Sequence, residues 1–207
     1  AVAVTSSHFC SAERQFRFPL EYGGQRAPTA QWTATASGAM VVGSPREKKE
    51  GQITVEAISF GRITDMGIKD AANMGAAMAP SAAQTLTDYF HDTGDGPQDY
   101  DVILTGDLGM IGSDLLQQIL MKDSIDISAV HNDCGLMLYD RKKQDVHAGG
   151  SGCGCSGAVL CSYIMQQMTA GKLHKVLFLG TGALMSPTSS QQGESIPGVA
   201  HLVYLKA

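Results

Sequence analysis

The chain has 207 residues, 43% of them hydrophobic and 17% charged, which is the composition of a globular chain long enough to bury a full core. Its net charge of -5 excludes a nucleic-acid surface, because the one basic cluster, Arg46, Lys48 and Lys49, reads as a solvated loop. No apolar run approaches the roughly 20 residues of a membrane-spanning helix, and five cysteines, an odd number with Cys153 and Cys155 too close to bridge easily, argue against a disulfide framework and for a reducing, intracellular compartment.

Residues 1–5 are expected to form a strand that runs into Ser6, Ser7 and His8, and the absence of Met at the start of that strand leads us to expect an upstream portion. Residues 32–42, rich in β-branched and small side chains, read as a second strand. The connection between them carries Arg14, Arg17, Phe16, Phe18 and Tyr22, and is too long and too particular for an inert linker. After a charged hinge, 52–60 alternates as a strand, and Pro80 is expected at the first turn of a helix over 81–91 that Gly94 and Gly96 stop. A strand at 101–105 leads through the loop 106–112 to a helix with Ser113 as its N-cap and Leu115, Leu116, Ile119 and Leu120 on its apolar face. Residues 136–139 read as a strand. The glycine-rich run 149–157 (GGSGCGCSG) is expected to turn tightly into a buried helix over 158–169 that Gly171 ends, and strands follow at 175–179 and 199–205. Alternating strands and helices over 52–205 predict an α/β layered domain, with the first two strands left without partners.

Three strand tips end in small, hydroxyl-bearing residues: Thr5-Ser6-Ser7-His8, Thr105-Gly106-Asp107 and Gly180-Thr181-Gly182. Ligands bind beyond the carboxyl ends of strands in open α/β sheets, so these tips and the glycine run are the expected lining of one pocket. Five glycines in nine residues let the backbone bend and pass close to a neighbour, and free N–H groups at the helix start would suit a carboxylate. Neither a P-loop nor a dinucleotide fingerprint fits the run. His131, Cys134, Cys153 and Cys155 are residue types that zinc accepts, but paired CxxC knuckles are absent. A His8–Cys155 nucleophilic pair has no spacing rule behind it, Cys161 reads as core, and His91, His147 and His174 read as solvated.

Taken together, TSSH, AERQFRFPLEYGGQ, TGDLGMIGS, HNDCGL, AGGSGCGCSGAV and TGALMSPT resemble, in order and over essentially the whole chain, the stage V sporulation protein AD family of spore-forming bacteria. The resemblance implies a thiolase-like layered α-β-α-β-α sandwich, commonly a homodimer, of which this chain is the C-terminal part. Residues 1–44 would hold the last two strands of the N-terminal half, 45–51 a charged hinge and 52–207 the C-terminal half. Thiolase-fold enzymes keep a nucleophilic cysteine in the first half, here upstream of Ala1, and His or Asn partners in the loops that read TGDLGMIGS and GGSGCGCSG in this chain. Neither loop has one; Asp107 and Ser151 stand there, and neither replaces a proton-shuttling imidazole or an oxyanion-donating amide.

What the family implies instead is non-catalytic binding of dipicolinic acid (pyridine-2,6-dicarboxylate) for uptake into the developing spore. The candidate ligand contacts are Ser6, Ser7, His8, Arg14, Arg17, Asp107, Ser151, Gly152, Cys153 and Thr181. No resident cofactor or metal is implied beyond calcium carried with the ligand. Partners would be the other stage V sporulation A membrane proteins, at the spore inner membrane. The alternatives are an acyl-transferring enzyme that uses an upstream cysteine with a base such as His8, and an assembly platform. Residues 1–207 alone are expected to be unstable or oligomeric.

Overall fold

The computed structural model describes residues 1–10, 27–44 and 51–207. Arg14, Arg17 and the hinge cations therefore lie outside the described residues.

Strand β1 (Val2–Ser7) pairs antiparallel with β3 (Ala36–Val41), from Val2 opposite Val41 to Ser7 opposite Ala36. The expected single strand over 32–42 is thus two: β2 (Trp32–Thr33) leaves to pair in parallel with β7 (Gly150–Ser151). The early strands, expected to lack partners, satisfy one another and the glycine run instead.

A five-stranded sheet runs in the order β4 (Thr54–Ser59), β9 (Gly198–Lys206), β8 (Lys175–Ala183), β5 (Val102–Thr105), β6 (His131–Asp133). Only β9 runs against the others. Strand alternation sorts its side chains. Ile103, Leu177, Leu179, Ala200 and Leu202 face α1 (Met74–Thr93) and α2 (Gly109–Lys122). Leu104, Val176 and Leu205 face the helical segment that starts at Cys153. That segment is α4 (Cys153–Val159), a π-helical turn (Leu160–Ile164) and α5 (Met165–Thr169). The short helix α3 (Cys134–Leu138) precedes β7, and α6 (Pro187–Gln191) lies between β8 and β9.

Helix α4 has the sheet on one side and the β1–β3 pair on the other, so the order of layers is β1–β3, α4–α5, five-stranded sheet, α1–α2. The glycines make this spacing possible. A Cβ on Gly154 would lie 2.2 Å from the Ala36 carbonyl oxygen, and one on Gly38 would lie 2.4 Å from that of Gly157. The backbones of helix and strand meet directly there.

Four sequence expectations are corrected. Helix α1 starts at Met74, not near Pro80, because the Asn73 side chain caps it by accepting from Ala76 N and the following residues are small; Pro80 sits inside. Helix α2 starts at Gly109 rather than after Ser113, because the Asp133 carboxylate takes the N–H groups of Leu108 and Gly109 and does the capping from another strand. Ser113 is therefore buried inside the helix and its hydroxyl has no hydrogen-bond partner. Residues 136–139 are not a strand: Asp133 also accepts from Leu136 N, which starts α3 immediately after β6. The helix expected over 158–169 starts at Cys153. Gly94, at φ 77°, and Gly171, at φ 67°, end their helices as expected.

Candidate functional site

Asp107 follows β5 and is buried. Its Oδ1 accepts from Thr181 Oγ1 at 2.9 Å and its Oδ2 from Gly152 N at 2.7 Å, while its own N–H donates to Thr181 Oγ1 at 3.0 Å. Ser151, also buried, adds a further side-chain hydrogen bond. Burial raises the carboxyl of Asp107 above the ordinary carboxylate range, against the pull of these donors. The structure thus joins the loop after β5, the glycine run and β8 through one carboxylate. Thr181 reaches this cluster from within β8, not from a strand tip, since β8 continues to Ala183.

Gly152 links the cluster to the end of β1. It sits at φ 101°, where a side chain would be strained, and a Cβ there would come within 2.8 Å of Ser7 Oγ. Ser7 Oγ donates to the Ala34 carbonyl at 2.7 Å and accepts from Gly154 N at 3.1 Å. The glycine-run amides of Gly152 and Gly154, expected to await an anion, are already bonded to Asp107 and Ser7. The accessible groups form a rim: Ser6, His8 and Cys153 are exposed, with the Cys153 thiol donating to the Ser6 carbonyl at 3.0 Å. Beside them Phe9 stacks on Trp32, with centroids 4.4 Å apart and planes inclined by 18°.

Sequence reasoning missed the groups that hold this site in place. Gln31, buried, donates from Nε2 to the carbonyls of Asp107 and Gly150, each at 2.7 Å, and so ties the two loops together. Asp133 accepts from Thr105 Oγ1, Leu108 N, Gly109 N and Leu136 N at 2.7, 2.8, 3.0 and 3.2 Å. Burial, with Asp107 nearby, pushes its carboxyl up to about 7 despite those donors. An aspartate followed three residues later by an apolar run was the available signal for the cap on α3. Nothing local in the sequence links Asp133 to residues 105–109.

The remaining candidates disperse. His131 bonds Thr105 Oγ1 through Nε2 at 3.1 Å, and burial holds its imidazole down to about 4, so it is neutral. Cys134 and Cys155 lie in the core between α4 and the sheet, where burial raises both thiols. Among the described residues no group of three or more His, Cys, Asp or Glu is placed to hold a metal ion. Cys155 is fully buried and His8 exposed, which does not suit a nucleophilic pair. His147 is not a solvated residue: it adopts φ 48°, places Nδ1 2.8 Å from the Ala27 carbonyl oxygen and is only 25% exposed. No helix among the described residues is long and apolar enough to cross a membrane.

A family model described as stage V sporulation protein AD matches residues 1–206. A relative of that name from Bacillus subtilis (strain 168) is 48% identical over 201 residues, covering 97% of this chain and 58% of its own length. The chain therefore spans less than two thirds of that relative. Among solved structures, a tetronic acid condensing enzyme aligns with 100% of this chain and 57% of its own, at a TM-score of 0.51 and 13% identity. That likeness shows the thiolase-like α/β fold and nothing of the chemistry.

Proposed function

The chain belongs to the stage V sporulation protein AD family, and from that premise we propose that it serves as a non-catalytic binding protein for uptake of dipicolinic acid into the developing spore. The observation that carries the proposal is the closed cluster of Asp107, Thr181 and Gly152. A general base must present a free lone pair to its substrate. Both carboxylate oxygens of Asp107 accept from within the protein and the residue is buried, so the carboxylate is not presented to a substrate. The Ser151 side chain is bonded to the same buried carboxylate.

Binding needs less. The rim of Ser6, His8 and Cys153 offers hydroxyl, imidazole and thiol groups to a carboxylate, while Ser7, Gly152 and Ser151 form the wall behind it. Arg14 and Arg17 are proposed to neutralise the dianion, with calcium arriving on the ligand rather than held beforehand. The protein would work as a homodimer beside the stage V sporulation A membrane proteins, peripheral to the spore inner membrane.

Calorimetric titration of the intact protein with dipicolinate tests the reading. A saturable heat is expected, weakened about fivefold by Ser6→Ala, the loss of one exposed hydrogen-bond donor. Absence of heat refutes binding. Acyl-CoA turnover that disappears in His8→Ala would establish the acyl-transfer alternative instead.

A further inference from the structure

Strand alternation separates two faces of β2. Gln31 and Thr33 are both buried, and Gln31 is turned to the loops that carry Asp107 and Gly150. Trp32, between them, is half-buried and turned the other way, against Phe9. The backbones that carry the two rings are held differently. The Trp32 backbone is fixed by the β2–β7 ladder, its main-chain N–H donating to the Gly149 carbonyl at 2.8 Å. Phe9 follows the end of β1, outside any strand ladder, and its backbone N–H donates to Thr35 Oγ1 at 3.1 Å. The same short stretch carries Ser6 and Ser7, which bond Cys153 and Gly154 across the rim.

At 4.4 Å between centroids the pair is a complete stack with no room for a third ring between its members. A flat ligand can use the indole only by taking the place of the phenyl group. Resting on the reading of this chain as a dipicolinate binder, we propose that Trp32 is the platform that selects a planar aromatic acid and that Phe9 is its intramolecular stand-in, which swings aside when the ligand ring stacks. The ring is chosen by Trp32, and its carboxylates are left at the rim, where Ser6, His8 and Cys153 are exposed. An aliphatic diacid of the same span gains nothing from the platform.

Trp32 is the single tryptophan among these 207 residues, and the part of the indole emission that Trp32→Leu removes reports the stack. The intact protein is titrated with dipicolinate, with benzene-1,3-dicarboxylate as a second flat diacid and with glutarate as a non-aromatic one, following indole emission and calorimetric heat together. Both aromatic acids are expected to shift the emission and glutarate to leave it unchanged. Trp32→Leu is expected to weaken dipicolinate about tenfold or more, and Phe9→Leu to tighten it about threefold, since the competing ring is gone. Should Trp32→Leu fail to fold, Phe9→Leu and the wild-type emission still decide the matter. Dipicolinate heat with unchanged emission and with wild-type affinity in Phe9→Leu overturns the platform but leaves the binding reading intact. No heat with any of the acids overturns the binding reading itself, and the platform with it.

Discussion

Replacing Asp133 with alanine tests the central joint of the site. The carboxylate takes three backbone N–H groups and the Thr105 hydroxyl, at 2.7–3.2 Å, and it caps two helices at once. Each buried donor left without a partner costs about 1–3 kcal/mol. Part of that is recovered because a buried acid, pushed up to about 7, is removed from beside Asp107. The net expectation for Asp133→Ala is a loss of about 3–5 kcal/mol, a large share of the roughly 5–15 kcal/mol that stabilises a folded domain. Asp133→Asn, which keeps one acceptor oxygen, should lose about 1–2 kcal/mol. The pH dependence has a fixed sign. The folded carboxyl holds its proton up to about 7 while the unfolded one releases it near 3.8, so the contribution of Asp133 to stability is greatest in acid and declines as pH rises between those values. The slope is about 1.4 kcal/mol per pH unit at its steepest, and Asp133→Asn should flatten it. Urea unfolding of the intact protein at pH 4.5, 5.5 and 6.5, read by circular dichroism, measures all three quantities. A wild-type curve that rises with pH over this range relative to Asp133→Asn, or an alanine variant within 1 kcal/mol of wild type, would refute the reasoning.

Gly154→Ala places a methyl group 2.2 Å from the Ala36 carbonyl oxygen and 2.5 Å from Ser7 Oγ, so it should part α4 from the β1–β3 pair and cost about 3 kcal/mol or more in a thermal-unfolding assay. Gln31→Leu leaves the Asp107 and Gly150 carbonyls unpaired; it should cost about 2 kcal/mol and lower dipicolinate affinity, with Gln31→Glu failing to restore either. In the native protein a thiol reagent should label exposed Cys10 and Cys153 at once and reach buried Cys134 and Cys155 only on unfolding, which time-resolved mass spectrometry can follow. Fast native labelling of Cys155 would contradict the packing of α4.

Most strands and the ends of α1 and α5 were legible in the sequence because they depend on local chemistry: β-branched runs, and Gly94 and Gly171 in left-handed turns. The starts of the helices were not. Ser113 has the chemistry of an N-cap and is buried without a partner, because Asp133, from a different strand, caps α2 first. Pro80 likewise suggested a first turn that Asn73 provides seven residues earlier. The site shows the same division. Asp107, Ser151, Gly152 and Thr181 could be named from loops at strand ends and from family resemblance, and they do converge. Gln31 and Asp133 act through backbone groups far along the chain, so no local pattern marks them. The role of the glycines was half legible: close approach was foreseen, but their amides are spent on Asp107 and Ser7.

The inner position of α4 also sets a timetable for synthesis. The β1–β3 pair docks on a helix whose first contact, Gly154 to Ser7, spans 147 positions of sequence. On a ribosome adding about 5–20 residues per second, the early strands wait on the order of ten seconds before that helix exists. During that interval Ala36, Met40 and the Thr5 methyl, which α4 and the segment after it cover in the finished fold, have nothing to pack against. Such a high-contact-order joint folds late and exposes sticky strand surface to other nascent chains. Yield in cells should therefore respond to chaperone capacity and translation speed more than the stability of the finished fold suggests.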